Sequence, residues 1–115
     1  MKDKFVAGHK FDSNKEKFAL IPPSALFEVA KVFTYGANKY EPHNWEKGIS
    51  YSRLFSACMR HLWKWWWGED KDPESNISHL SHAAANIFFL LHYEYNKRKY
   101  KTFDDRSFNE KNKNT

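Results

Sequence analysis

From Ile77 onward, apolar residues recur every three or four positions: Ile77, Leu80, Ala84, Ile87, Leu91 and Tyr95. Only an α-helix places such a heptad-like series on one side of the chain, so a helix is expected over Asn76–Lys97. Leu26, Val29, Ala30 and Phe33 repeat the spacing and predict a helix over Ser24–Asn38. The Pro22-Pro23 pair stops any earlier helix, leaving Ser24 as N-cap or Pro23 to open the first turn. A third helix is expected over Ser50–Trp67, with Leu54, Cys58, His61 and Trp65 on one stripe and Arg53, Ala57, Arg60 and Lys64 beside it. Gly68 suits the position just past its end. The expected fold is therefore all-α: three principal helices with an irregular N-terminal arm packed across them, assembled as a homo-oligomer. Residues 1–100 would form one domain and 101–115 a polar tail.

The 115 residues allow one domain with a thin core. Ten Phe, six Tyr and five Trp cannot all fit inside it, so some rings belong to a pocket or a subunit interface. Trp63, Trp65, Trp66 and Trp67 cannot share one buried face, which points some of them to an interface. The net charge of +5 suits nucleotide phosphates or nucleic acid, although Lys97, Arg98, Lys99 and Lys101 equally suit a helix C-terminus and tail. Cys58 has no intrachain partner and reads as a small core residue, as expected in a reducing cytoplasm. No signal peptide or membrane span is evident. Walker A, GxGxxG, CxxC, His-Asp and Gly-x-Ser-x-Gly motifs are all absent.

The chemistry-bearing residues cluster. His79, His82 and Asn86 share one narrow helical face that flanks the apolar seam and so borders the expected core, where they can bind a metal, phosphates or a base edge. The alternative is a set of buried side chains with satisfied hydrogen bonds. If the last two helices pack antiparallel, His61 approaches His82 or Asn86 and lies far from His79. The loop between them carries Glu69, Asp70, Asp72 and Glu74 around Pro73, oxygen donors that suit Mg²⁺ or Ca²⁺ or simply occupy a turn. Lys39, Arg53, Arg60 and Lys64 are the cations available to phosphate, Arg60 foremost because guanidinium grips phosphate bidentately. Tyr35, Tyr40 and Trp45 can stack on a base, or Trp45 can fill an aromatic core corner.

Several blocks in fixed order resemble a known family. They are Leu20-Ile-Pro-Pro-Ser-Ala-Leu26, Tyr35-Gly-Ala-Asn-Lys-Tyr40, Asn44-Trp-Glu-Lys-Gly48, Arg60-His61, Gly68-Glu-Asp70, Asp72-Pro-Glu-Ser75 and His79-Leu-Ser-His82 with Asn86. Together, over roughly Lys10 to Tyr93, they resemble the dATP/dGTP diphosphohydrolase N-terminal domain common in phage genomes. The resemblance implies hydrolysis of purine deoxynucleoside triphosphates with a divalent metal, Mg²⁺ or Mn²⁺, in the cytoplasm of a phage-infected bacterium. The better-understood all-helical nucleotide pyrophosphohydrolases carry a Glu-Glu-x-x-Glu block and a Glu-x-x-Asp block on helices. Here only Glu69–Asp72 has the second spacing, and it falls in a loop.

On this combined reading His61, Asp72, His79 and His82 are the catalytic candidates. Glu69, Asp70, Asp72, His79 and His82 are the metal candidates. Lys39, Tyr40, Asn44, Trp45, Arg60 and Asn86 would bind substrate. Two other functions use the same residues: a non-catalytic sponge for a nucleotide second messenger of antiphage immunity, and, ranked third for want of a reading motif, nucleic-acid binding.

Overall fold

The computed structural model describes residues 8–107. Three α-helices carry the fold: α1 (Pro23–Lys39), α2 (Tyr51–Trp66) and α3 (His79–Tyr95), with 3₁₀ turns at Phe18–Leu20, Asn44–Lys47 and Lys101–Phe103. Among the described residues the only β-type pairing is an isolated bridge, Lys71 to Ser78. Helix α3 is central and packs on both of the others.

Each helix end has a local cause. Pro23 takes the first position of α1 with Pro22 as N-cap; proline lacks the N–H that would be orphaned there. Gly68 (φ +103°) follows α2. Its N–H bonds Trp65 C=O, and the Glu69 N–H reaches back to Lys64 C=O, so a Schellman motif closes the helix. The side chain of Ser78 accepts from Leu80 N–H and starts α3. The expected start at Asn76 is too early, because Asn76 holds φ +60° and bonds back to Asp72 C=O.

The core lies at the end of the hairpin away from the 69–78 loop. Leu54, Tyr93 and Tyr100 are buried there, with Ile49, Tyr51, Phe89, Leu90 and Phe103 around them. Both tyrosines spend their hydroxyls on backbone carbonyls of the 44–47 turn: Tyr93 to Trp45 at 2.6 Å and Tyr100 to Glu46 at 2.8 Å. Burial, with Tyr100 adding to it, raises the Tyr93 phenol to about 12.

Three expectations are corrected here. Residues 101–106 are not a frayed tail: Phe103 packs on the core, and the Asp105 carboxylate takes the Ser52 N–H at 2.9 Å and its hydroxyl at 2.5 Å. An acid at this position satisfies an orphan donor and meets the positive end of α2. Residues 108–115 lie outside the described part. The N-terminal arm is not packed across the helices either, since residues 8–22 are exposed throughout, with Phe11 at 94% and Phe18 at 79%. Its apolar side chains are isolated and its hydrogen bonds local, so no face exists to dock. Finally, the α3 seam is not the packed side. Leu80, Ile87, Leu91 and Tyr95 are exposed, while His79, His82, Ala83, Ala85, Asn86 and Tyr93 point inward. Small Ala83 and Ala85 let neighbouring elements come close, and two partner helices cannot also cover the far side of α3.

Candidate functional site

At the other end of the hairpin the inward face of α3 is polar. The 69–78 loop folds back on itself: Asp72 N–H bonds Ile77 C=O and His79 N–H bonds Asp70 C=O. The first turn of α3 thereby starts beside the end of α2, within side-chain reach of His61. The expectation that His61 lies far from His79 is thereby overturned, while its predicted approach to His82 is met. His61 Nδ1 is 2.8 Å from His79 Nδ1, and the His61 and His82 rings stack at 4.6 Å, 9° from parallel.

Donor and acceptor roles follow from the network. His79 is fully buried, and its Nε2 lies 2.7 Å from Glu69 Oε1. An ionised carboxylate only accepts, so His79 donates from Nε2, and as a neutral ring it accepts at Nδ1. His61 must then donate from Nδ1, which leaves its lone pair on Nε2. On the second branch, Ser75 Oγ gives its one proton to Asp72 Oδ2 at 3.2 Å. It therefore accepts from His82 Nε2–H at 2.7 Å, and the His82 lone pair sits on Nδ1. Two relays result, Glu69–His79–His61 and Asp72–Ser75–His82. Each ends in an imidazole nitrogen that is not both buried and unpartnered.

The electrostatics favour neutral rings. Burial, reinforced by His82 and His79, lowers His61 to about 4. Burial also lowers His82, against the opposing pull of Asp72. Burial pushes the Asp72 carboxyl up, but hydrogen bonds from the Ser75 hydroxyl and amide outweigh it, and Asp72 ends below its usual value. The sign of the stability effect follows. An unfolded histidine protonates near pH 6.5, whereas folded His61 stays neutral until about 4, so acid favours the unfolded chain. Stability falls as pH drops from 6.5 toward 4. At pH 5 the loss from one such imidazole is roughly 1–2 kcal/mol. Urea melts at pH 7 and pH 5 should show it, and His61→Asn should reduce the difference; an undiminished difference in that variant would contradict the assignment.

The rim is built from α1. Tyr35 meets His82 edge-on at 6.3 Å and donates its hydroxyl to Glu74 at 2.9 Å. Lys39 pairs with the same carboxylate at 2.6 Å, a contact that raises its ammonium to about 12. Tyr40 is 64% exposed, with the Lys39 ammonium over its ring. Arg60, beside His61, is exposed and makes no ion pair among the described residues.

The remaining candidates fall elsewhere. Trp45 is the aromatic core corner: it stacks on Phe89 at 5.6 Å and meets His92 edge-on at 4.8 Å. His92 is about 15 Å along α3 from His82, so Trp45 is not brought to the imidazoles. Asn44 starts the 44–47 turn at that same end. Asn86 is buried and donates to His82 C=O, a bond within its own helix. Asp70 lends the site its backbone carbonyl, and its residue is otherwise exposed. Among the described residues no three His, Cys, Asp or Glu side chains converge as a metal-holding group; His79 spends both ring nitrogens on protein. Sequence reasoning missed the roles of Ser75 and Tyr35–Glu74 here. The Asp72-x-x-Ser75 spacing, typical of a side-chain-closed turn, is the signal that could have found Ser75.

Fold and site together define a class: an all-helical domain whose α2–α3 hairpin encloses a histidine–carboxylate cluster, with cations and a tyrosine at its rim. The chain belongs to the dATP/dGTP diphosphohydrolase, N-terminal family, whose pattern matches residues 6–106. It is 37% identical over 101 residues to a dATP/dGTP diphosphohydrolase of Salmonella phage PMBT28. That alignment covers 88% of this chain and 33% of the relative, so the chain spans about a third of the relative's length. No solved structure matches. Among the described residues no helix is long and apolar enough to cross a membrane.

Proposed function

We propose that this domain binds a purine deoxynucleoside triphosphate of the dATP/dGTP type at the His61–His79–His82 cluster and takes part in its hydrolysis to the monophosphate. The supporting observation is the pair of carboxylate-anchored relays ending in adjacent, stacked imidazoles, in a chain of this family. Water would add to the α-phosphorus and pyrophosphate would leave. The free nitrogen of His61 or His82 takes the proton that water loses. Arg60 and Lys39 offset phosphate charge, and the exposed Tyr40 ring stacks on the base. A divalent ion, Mg²⁺ or Mn²⁺, belongs to this reading as a companion of the triphosphate, since the described side chains do not form a three-donor cage.

A second reading, sequestration of an intact nucleotide messenger, draws on that same engagement of the imidazoles within the protein. One experiment separates the two. Purified protein is incubated with purine nucleotides and cyclic dinucleotides with Mg²⁺ or Mn²⁺, then analysed chromatographically before and after denaturation. Conversion to monophosphate, lost in His82→Ala and Asp72→Ala, is the expected result. Intact ligand released only on denaturation would replace hydrolysis by sequestration. Neither conversion nor retention would overturn both. In either case a bound phosphate raises the pKa of a neighbouring imidazole, so affinity should rise as pH falls below 6 toward the unliganded His61 value of about 4.

A further inference from the structure

The outward face of α3 is built for a helix, and among the described residues no helix lies along it. From His79 to Tyr93 the sequence contains no Asp, Glu, Lys or Arg, yet Leu80, Ile87, Phe88, Leu91 and Tyr95 are 42–91% exposed. A solvated helix face would carry charges. Three-four spacing along one edge is the knobs-into-holes pattern of helix pairing. We propose that a second copy of this chain covers this face, with the two α3 helices antiparallel about a two-fold axis between Ile87 and Phe88.

Three observations fix that occupant and direction. First, the seam is self-complementary when reversed about this axis. Ile87 meets Phe88 of the partner subunit, the small Ala84 meets Leu91 of the partner subunit, and Leu80 meets Tyr95 of the partner subunit. Such mutual matching is what an isologous interface requires. Second, the ends of α3 carry opposite charge: Glu69, Asp70, Asp72 and Glu74 precede it, offset only in part by Lys71, and Lys97, Arg98, Lys99 and Lys101 follow it. Antiparallel pairing sets each acidic end beside the partner's basic end, whereas parallel pairing would oppose like charges. Third, α1 and α2 occupy the inward side of α3, where His82 meets Tyr35 and His61 and Cys58 meets Ala83; α1 reaches only the Phe88 edge, where Phe33 meets that ring edge-on at 5.9 Å, which leaves Leu80, Ile87, Leu91 and Tyr95 exposed.

The test needs no knowledge of the ligand. The full chain should sediment as a dimer, and Ile87→Glu should sediment as a monomer with unchanged helical circular dichroism. Register is read by cysteine cross-linking in a Cys58→Ser background. Under mild oxidation Phe88→Cys should link to itself. Leu80→Cys should not, because its two copies stand roughly 22 Å apart along the axis. A mixture of Leu80→Cys and Tyr95→Cys should link. A wild-type chain that stays monomeric in solution, whether or not it binds anionic phosphatidylserine vesicles, overturns the proposal. So does ready self-linking of Leu80→Cys, which marks a parallel pair, or failure of Phe88→Cys to link in a dimer.

Discussion

Gly48→Ala is expected to lower the melting temperature by about 10 °C or more. Gly48 sits at φ +105° and ψ 134°, at the junction between the 44–47 turn and α2. That backbone region is essentially reserved for glycine, and a side chain there costs on the order of 1–3 kcal/mol in strain alone. A second cost adds to it, because a Cβ at position 48 would land on the Phe103 ring. Phe103 cannot easily give way, since it packs against the Tyr100 side of the core. Overpacking adds about 1–3 kcal/mol, and each kcal/mol shifts a domain of this size by roughly 4 °C or more. Thermal melts of the wild type, Gly48→Ala, Phe103→Ala and the double variant would separate the two terms. The double variant should be more stable than the sum of the single losses predicts. A Gly48→Ala protein melting with the wild type would show that the turn is not held in this geometry.

The second large effect belongs to His79. This imidazole is completely buried and serves both Glu69 and His61. His79→Ala removes the ring, leaves a cavity, and strands a donor on His61. The expected loss is about 3 kcal/mol of stability, together with nucleotide conversion or retention. Glu69→Gln is the informative companion, because the amide oxygen can still accept from His79 Nε2–H while the charge is gone. Its stability should fall by about 1 kcal/mol and its helical content should not change. Urea melts and chromatographic assays on the same preparations distinguish the outcomes. If His79→Ala kept both its stability and its nucleotide chemistry, the relay from Glu69 to His61 would have no function.

The three helices were legible because their periodicity and breakers are local: Pro23 starts α1 and Gly68 terminates α2 within a residue or so of expectation. The site was legible in part for the same reason, since His79 and His82 share a helical face whatever surrounds them. Which face is inside was not legible. Apolar spacing marks a surface that must be covered, but says nothing of whether the cover comes from the same chain. On α3 the apolar edge was therefore read as core, although the imidazole edge is what α1 and α2 pack against. Nor could the sequence show that His61 meets His79. That contact depends on the 69–78 loop closing on itself through backbone bonds such as Asp72 to Ile77, and no pattern of residue types encodes that. Trp45 was drawn toward the site by its loop position, and its place against Phe89 depends on tertiary packing alone.

The Asp105 cap on α2 bears on the order in which the chain can settle. Ser52 and Asp105 are 53 residues apart, so α2 leaves the ribosome long before the carboxylate that takes its Ser52 amide exists. During synthesis that end of the helix must be kept by water, and α3 must form and turn back before the terminal segment can reach it. The segment around Asp105 thus acts as a latch: the hairpin is assembled first and this contact locks it afterwards.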